Sequence, residues 1–386
     1  LQVLQTALAN DAKQKDWPAS LADAKRLRAF LNDAPTARLE VARTYLRLGD
    51  HAAALAQVQG FLALGQTNAV LSSPSFEPIH AAIGAQIQKN SVPVSRTRAV
   101  FKLPASLLPE DIDVDPVTQR FFVTTILGRN IVAVDANGVS RPFADAPDAW
   151  PMAALKIDVK RRRLWATELA FNTFDSVAAD DRGRSALLEY DLDHATLLRR
   201  LEAPANAALG DMTLAPNGDP IVSDGEGGGI YRAHDGVLHR LDHGEFISPQ
   251  TPASCANPNV VIIPDYVRGL ATLDLASGHV TWFSGASHAL YGIDGLYCRG
   301  RTLTATQNGA SPARVVAFQL DVSQTTIIDE RVIERGTTVA ADVTHGVFVG
   351  RTFHFIANAG WAAMDEKGVP NDLAHSPTAV LMKTRD

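Results

Sequence analysis

Paired apolar strands recur six times along the chain between Leu107 and Asp386. Each unit has an apolar strand, a tight turn rich in Asp, Asn or Gly, and a second apolar strand. The six units cover residues 114–125, 157–167, 214–224, 255–265, 297–307 and 347–357. They recur roughly 40–57 residues apart, which is the period of propeller blades rather than of helical solenoids. The pattern therefore predicts a mainly β fold, a six-bladed β-propeller.

A third strand of alternating polarity follows each pair. The third strands are predicted at residues 129–138, 186–193, 228–236, 268–278, 314–321 and 378–385. A propeller must join its first and last blades, because an unpaired edge strand promotes aggregation. Residues 97–103 have strand composition and precede the first blade. We therefore expect them to form the outer strand of the last blade.

The composition changes near residue 90. Residues 1–90 are rich in Ala, Leu, Gln and Arg, whereas the rest of the chain carries most of the Gly, Val and Thr. This predicts a helical domain at 1–92 and the propeller at 93–386. The composition, 46% hydrophobic and 20% charged, is that of a globular protein that can bury two cores.

Residues 33–65 have apolar positions at helical spacing, which predicts two antiparallel helices. The stretch resembles the tetratricopeptide repeat in the residues Tyr45, Leu48, Gly49, Asp50, Ala53, Ala54, Leu55 and Phe61. A concave peptide groove needs three or more repeats, and this region has room for one complete hairpin. A cap or docking platform packed on the propeller, through which a protein partner would bind, is therefore expected ahead of an independent peptide receptor.

The charge balance limits the classes of partner. The formal net charge is −6, from 42 acidic and 36 basic residues, and no long basic stripe occurs. We expect no nucleic-acid partner. No run of 18 apolar residues occurs, so we expect no membrane span. The start at Leu1, the Ala-rich composition and the preference for Arg over Lys favour a bacterial protein that is periplasmic or secreted.

The two cysteines, Cys255 and Cys298, fall at the ends of the inner strands of the fourth and fifth blades. Neighbouring inner strands run side by side, so a disulfide is geometrically conceivable. Two separate buried thiols, which pack as small apolar side chains, are the other interpretation. The sequence does not decide between them.

Four segments carry a further resemblance. They are PEDIDVDP (109–116), GDMTLAPNG (210–218), GIDGLYCRGRTLTATQNG (292–309) and FHFIANAGW (353–361). Together they resemble the senescence marker protein/gluconolactonase family of six-bladed propellers. The resemblance implies hydrolysis of a small lactone or ester with a divalent metal ion in the propeller channel. Calcium is the ion we expect first, with zinc or manganese as alternatives.

Equivalent positions of the inner strands converge at one mouth of a propeller channel. Aligning the blades by their hairpins places six residues at that level: Glu110, Ala153, Gly210, Gln250, Asp294 and His345. The family's metal sites use a Glu, two Asn and an Asp, and Glu110 and Asp294 match by residue type. Gly210 stands where one Asn is expected, so Asp211 beside it is a candidate replacement. Gln250 stands approximately where the other Asn is expected.

The resemblance implies Glu110, Asp294, Gln250 and Asp211 as metal ligands. Asp294 and His345 are the candidate catalytic residues, because a carboxylate at the metal can act as a base and an imidazole titrates near neutral pH. A nitrogen ligand from His345 would favour a transition metal over calcium. In the other interpretation, these polar side chains satisfy one another and channel waters.

Loops at the same mouth carry aromatic and amide side chains. These are Tyr266, Tyr291, Asn308, Asn358 and Trp361. They would line a pocket for a small polar ligand, or Tyr266 and Trp361 would only wedge between blades.

Several common catalytic motifs are absent from the sequence. The glycine run at 224–230 joins two predicted strands and opens no helix, so it lacks the context of a phosphate-binding loop. No GxSxG elbow, HExxH helix, CxxC pair or P-loop occurs. The alternative to a hydrolase is a non-catalytic ligand- or protein-binding propeller with a helical docking platform.

Overall fold

Five α-helices open the chain. The computed structural model describes residues 1–103, 105–371 and 378–385. The helices are α1 (Gln2–Gln14), α2 (Trp17–Phe30), α3 (Pro35–Arg47), α4 (His51–Leu62) and α5 (His80–Ser91). Two 3₁₀ helices, Ala69–Ser72 and Pro74–Ile79, lie between α4 and α5. Within the described ranges, no helix combines the length and apolarity needed to cross a membrane.

The turn between α3 and α4 follows from its sequence. Gly49 has a φ of 79°, in the left-handed region that glycine enters without steric cost. Asp50 then caps α4, because its carboxylate accepts a hydrogen bond from the backbone N–H of Ala53 at 2.9 Å. Phe61 of α4 is fully buried against Leu39 of α3 and the neighbouring helices. The helical hairpin is therefore present, while its assignment to the tetratricopeptide class stays a prediction.

Twenty-five strands lie in the described residues. In chain order they are β1 (Val94–Ser95), β2 (Thr97–Lys102), β3 (Pro109–Asp115), β4 (Arg120–Thr125), β5 (Asn130–Val134), β6 (Ser140–Asp145), β7 (Met152–Asp158), β8 (Arg163–Leu169), β9 (Ser185–Asp191), β10 (Leu197–Glu202), β11 (Leu209–Leu214), β12 (Pro220–Asp224), β13 (Ile230–His234), β14 (Val237–Arg240), β15 (Ala253–Ser254), β16 (Val260–Asp265), β17 (Gly269–Asp274), β18 (Val280–Trp282), β19 (Gly295–Arg299), β20 (Thr302–Gln307), β21 (Arg314–Leu320), β22 (Ile327–Arg335), β23 (Val343–Val349), β24 (Thr352–Ala357) and β25 (Val380–Thr384). Three further 3₁₀ turns are Ala105–Leu107, Thr338–Ala340 and Trp361–Ala363.

These strands form six antiparallel sheets, which are the six blades. Blades 1 to 4 follow the chain in groups of four, from β3–β6 to β15–β18. Blade 5 contains β19–β22 with β1 added at its edge, and blade 6 contains β23–β25 with β2 at its edge. Apolar residues of adjacent blades share cores; one such core joins Phe122 of blade 1 to Leu155 and Leu188 of blade 2. The six-bladed propeller is confirmed.

The segment that enters the ring closes it. Strand β2 pairs antiparallel with β25, from Thr97 opposite Thr384 to Lys102 opposite Val380. Strand β1 pairs with the outer strand of blade 5, where Val94 lies opposite Arg335. The same short segment therefore ties the start of the propeller to its last two blades.

The helices pack on blades 4 and 5, at the end where the inner strands begin. Leu64, which follows α4, contacts Tyr291. The Asn32 amide donates a hydrogen bond to the Phe283 carbonyl at 2.8 Å. The Thr67 N–H donates to the Ser311 carbonyl. The helical part thus covers a sector of the channel mouth and is attached to the loops around it.

A disulfide joins Cys255 to Cys298 and so links blade 4 to blade 5. The two Cα atoms are 5.3 Å apart, within the range that a bridge allows. Of the two interpretations left open by the sequence, the structure has the bridge rather than two separate thiols.

Replacing both cysteines, C255A/C298A, should lower the free energy of unfolding. The bridge has a sequence separation of 43, and closing a loop of that size removes unfolded-state entropy worth about 4 kcal/mol. Urea unfolding should show the shift in midpoint. Reductant should lower the unfolding midpoint of the wild type towards that of the double variant and leave the variant unchanged. The prediction would be contradicted if neither reductant nor the double substitution lowered the midpoint.

Candidate metal centre in the propeller channel

The inner strands of four blades carry the same irregularity. In β3, β7, β11 and β23, the register against the second strand shifts over two residues. These residue pairs are 110–111, 153–154, 210–211 and 344–345. A bulge of this kind redirects side chains at the end of a strand. Here it lies where the inner strands begin, so it decides which side chains face the channel.

Threonines of the second strands fix the bulge geometry. The Oγ1 atoms of Thr124, Thr167 and Thr306 each accept a hydrogen bond at 2.9 Å, from the N–H groups of Asp111, Ala154 and Gly295 respectively. Because these N–H groups are equivalent, Asp294 occupies the same position as Glu110. The predicted equivalence of these two carboxylates agrees with the pairing.

The predicted level of His345 is wrong by one residue. The strand register makes Thr344 the counterpart of Glu110 and Gly210, and it makes His345 the counterpart of Asp111 and Asp211. The turns used for the alignment differ in length, with four residues between Asp115 and Arg120 in blade 1 and two between Val349 and Thr352 in blade 6. Alignment by hairpins therefore could not fix the level to one residue. The bulge nevertheless brings the imidazole into the channel.

Three side chains meet at the channel mouth. Glu110, Asp294 and His345 each offer one ligand atom, and these atoms all lie within 4.8 Å of one another. Asp211 joins from blade 3, since its Oδ1 is 2.8 Å from His345 Nε2. Four blades thus contribute to one cluster of three carboxylates and one imidazole.

His345 is held in a single orientation. Its ring is 1% exposed, and Nδ1 donates to the Glu110 backbone carbonyl at 3.1 Å. Nε2 is close to Asp211, but the approach is a charge contact and not an aligned hydrogen bond. A histidine that ligates a metal commonly donates its other ring N–H to a carbonyl in this way. The buried Nε2 therefore fits a metal ion.

Neutral donors hold the two principal carboxylates. Trp361 Nε1 donates to Glu110 Oε2 at 2.5 Å. Asn308 Nδ2 donates to Asp294 Oδ2 at 2.8 Å. Tyr266 in turn donates its hydroxyl hydrogen to Asn308 Oδ1 at 2.9 Å. One oxygen of each carboxylate is therefore fixed, and neither carboxylate is neutralised by a cationic donor at that oxygen.

The electrostatics of the cluster favour a cation. Burial raises the pKa of Glu110 well above its usual range, although the His345 charge opposes this. Burial also raises the pKa of Asp294 to about 6. For His345, burial lowers the pKa, but the charges of Asp211 and Asp294 outweigh it and raise the pKa well above its ordinary value. Crowded buried carboxylates of this kind would be stabilised by a divalent ion.

The predicted ligand Gln250 is engaged elsewhere. Its Nε2 donates to Ser248 Oγ at 3.1 Å and to the Ser248 carbonyl at 3.3 Å. Among the described residues, no hydrogen bond joins its side chain to the cluster. Gly210 has open space where a side chain would begin, because a Cβ built there meets no atom within 4 Å. Neither Gln250 nor Gly210 therefore contributes a side chain to the cluster, and Asp211 is the residue of blade 3 that reaches it.

The five predicted ligand-contacting residues divide into two groups. Tyr266, Asn308 and Trp361 support the carboxylates, as described above. Tyr291 is 7% exposed and packs against Leu64 of the helical part. The Asn358 side chain accepts from the Ala341 N–H and donates to the Val339 carbonyl, so it fixes a loop.

A second group of channel residues was not predicted. Asp111 is 1% exposed, forms an ion pair with Lys156 at 2.7 Å and accepts from the Leu155 N–H at 2.9 Å. The Tyr297 hydroxyl accepts from the Gly346 N–H at 2.7 Å and joins blade 5 to blade 6. The closely spaced acidic residues at 110–115 could have indicated Asp111 as a channel residue. No local sequence pattern indicates Tyr297.

No protein-family model and no curated protein matches the chain. Solved structures do resemble it. A calcium-binding protein, regucalcin, from Agrobacterium tumefaciens is 16% identical with a TM-score of 0.52, covering 75% of this chain and 92% of its own. A gluconolactonase from Xanthomonas campestris is 12% identical with a TM-score of 0.50, covering 76% and 97%. A PQQ-bound aldose sugar dehydrogenase from Streptomyces coelicolor is 12% identical with a TM-score of 0.52, covering 76% and 99%.

The chain has the fold of gluconolactonase-like propellers. The expected fold resemblance is thereby confirmed. The same fold carries different chemistry in these structures, so the fold alone does not assign an activity. The activity has to be argued from the cluster of Glu110, Asp294 and His345.

The variant D294N should be more stable than the wild type in a chelating buffer at pH 7.5. The pKa of Asp294 is about 6 in the folded protein against about 4 in an unfolded chain, which penalises the ionised form by about 3 kcal/mol at most. A raised pKa means that the wild type loses stability as the pH rises through about 6. The stability gap should therefore vanish near pH 4.

Thermal or urea unfolding at both pH values measures this effect. A variant that is less stable than the wild type at pH 7.5 without metal would contradict the electrostatic interpretation.

Proposed function

We propose that the protein hydrolyses a small lactone or ester at a divalent metal ion bound by Glu110, Asp294 and His345. The observation that carries the proposal is the approach of their three ligand atoms to within 4.8 Å of one another. Carboxylate and imidazole are a donor set that first-row divalent ions accept. The gluconolactonase and regucalcin among the similar folds add support.

The imidazole changes which ion we propose. Calcium, the ion expected first from the sequence, takes six to eight oxygen ligands. This cluster offers a nitrogen at His345, and Gly210 and Gln250 do not supply the two amide oxygens expected of calcium-type ligands. Manganese or zinc, which accept imidazole together with carboxylates, are therefore proposed ahead of calcium.

The ion, when bound, supplies Lewis acidity for a carbonyl and for water. Asp294 is the proposed general base, because a carboxylate at the metal can accept a proton from water. Asn308 holds one oxygen of Asp294, which directs the other towards the cluster. The accepted proton would pass to the departing alkoxide oxygen when the ester bond breaks.

His345 is proposed as a ligand rather than as a base. Without metal its raised pKa keeps it protonated beside Asp211, so it has no free lone pair to accept a proton. Its Nδ1–H is used by the Glu110 carbonyl, which leaves Nε2 for the ion. A catalytic metal site keeps one position for water or substrate, and we propose that the open space at Gly210 serves this purpose.

A non-catalytic binding propeller is the second candidate. The observation that favours it is the position of Gln250, whose amide is tied to Ser248 and which leaves the expected set of four ligands incomplete. In that case the mouth would hold a small polar ligand, and the helical platform beside it would bind a protein partner.

The disulfide is informative about the cellular compartment in which the protein is found. Bridges persist in oxidising environments and are rare in the cytosol of most organisms. The Cys255–Cys298 bridge therefore supports a periplasmic or secreted location.

Metal titration of chelator-treated protein tests the proposal. Manganese or zinc should raise the melting temperature, since an ion at one hundred times its Kd stabilises the fold by about 2.7 kcal/mol. The double variant E110Q/D294N should lose this response and any hydrolysis across a lactone and ester panel. D113N is the matched control, because Asp113 lies on the same strand and accepts from the Ile157 N–H outside the cluster.

The outcomes separate the two candidates. Metal binding with hydrolysis supports the hydrolase, and metal binding without hydrolysis of any substrate favours the binding propeller. Absence of both metal binding and hydrolysis, or equal loss in D113N, would refute a metal site at this cluster.

The variant G210N should bind the ion more tightly. The open space at Gly210 can accept a side chain, and one added amide oxygen should improve affinity by about tenfold, the scale of one good polar contact. Calorimetric titration with manganese measures the effect, and G210A controls for the loss of glycine flexibility. An affinity that does not exceed that of G210A would show that the space does not adjoin the ion.

A further inference from the structure

A large cleft lies between blades 5 and 6. Its volume is about 730 Å³, and it opens beside the hairpins β19–β20 and β23–β24. This is the end opposite the cluster of Glu110, Asp294 and His345, because those residues lie where inner strands begin. The cleft is therefore separate from the candidate metal centre.

Five arginines line this cleft, which we call the arginine cleft: Arg96, Arg299, Arg331, Arg351 and Arg385. They come from distant parts of the chain, and the sheet pairing brings them together. Arg299 ends β19, Arg331 lies on β22, and Arg351 lies in the β23–β24 turn. The backbone N–H of Arg385 donates to the Arg96 carbonyl at 2.9 Å, so Arg96 and Arg385 lie beside each other.

The positive charge of the arginine cleft is uncompensated within the described part of the chain. No aspartate or glutamate lines the cleft, and none of its arginines forms an ion pair with a described residue. Arg385 Nε donates to the Thr97 carbonyl at 2.9 Å, a neutral acceptor. Asp329, two residues before Arg331 on β22, makes no ion pair with it.

This concentration of charge runs against the rest of the protein. The chain has a net charge of −6, and its other arginines commonly pair with carboxylates, as Arg162 does with Asp115 at 2.8 Å. Guanidinium groups remain protonated at any working pH and repel one another. Five of them around one concave space form a site of high positive potential, which concentrates anions.

The walls of the cleft suggest the kind of anion. Phe348, Phe353 and Ile333 form part of its lining, so an apolar surface lies among the guanidinium groups. Guanidinium groups bind phosphate and sulfate oxygens through paired N–H donors. A single small anion would engage one or two arginines and leave most of the space empty.

We propose that the arginine cleft binds a small soluble molecule that carries two or more phosphate or sulfate groups. The proposal does not depend on metal binding or on hydrolysis in the channel. It assigns a second binding site, at the opposite end of the propeller.

Calorimetric titration with inorganic tripolyphosphate tests the proposal. The full chain is used in a chelating buffer at fixed ionic strength, so that binding to a metal in the channel does not contribute. We expect saturable binding at one site per chain. Sodium sulfate at the same ionic strength should bind at least tenfold more weakly, because it presents one anionic group.

The variant R299Q/R351Q identifies the site. Both side chains are exposed, so the folded state should tolerate the changes, and each lost charge-assisted contact should weaken binding by about tenfold or more. R301Q is the matched control, since Arg301 lies in the same β19–β20 turn but does not line the cleft. Near-ultraviolet circular dichroism and the melting temperature confirm that each variant is folded.

Each outcome decides the proposal. Weaker tripolyphosphate binding in R299Q/R351Q with unchanged binding in R301Q supports it. No saturable binding to the wild type, equal weakening in R301Q, or sulfate binding as tight as that of tripolyphosphate overturns it.

Discussion

Closure of the ring by β2 and β25 is the constraint on which the candidate site depends. Glu110 belongs to blade 1 and His345 to blade 6, so their contact crosses the seam between the first and last blades. Thr344 Oγ1 and His345 Nδ1 both donate to the Glu110 carbonyl, and Trp361 donates to its carboxylate. The β2–β25 pairing and the apolar core that blades 1 and 6 share, with Ile112 against Ile356, hold together the two blades that carry these contacts.

The cluster of buried carboxylates lowers the stability of the folded protein, and the same electrostatics favour binding of a cation. Burial opposes ionisation of Glu110 and Asp294, and the charge on His345 offsets this effect of burial only in part. Asp111 in the same channel is compensated, since it has both Lys156 and a backbone donor. The contrast between a compensated and an uncompensated carboxylate within one channel is typical of a site kept for a ligand.

The sequence predicted what depends on local pattern. Alternating apolar strands marked the blades, and residue type marked Glu110 and Asp294. The turns of blades 1 and 6 differ in length, so alignment by hairpins placed His345 one residue away from its true level. Tyr291 is covered by Leu64 because the helices dock on that loop, and docking depends on surfaces distant in sequence. The pairing of Cys255 with Cys298 likewise depends on a distance between blades, which no local pattern contains.

The position of Gly210 connects the fold to the proposed chemistry. The helical part packs on blades 4 and 5, while the loops of blades 2 and 6 meet where the Asp175 N–H donates to the Lys367 carbonyl and Phe171 contacts Trp361. Blade 3 contributes no side chain at Gly210, and the space there is open. Asp211 beside it reaches His345 Nε2 at 2.8 Å, so blade 3 still contributes a carboxylate to the cluster although Gly210 departs from the expected ligand set.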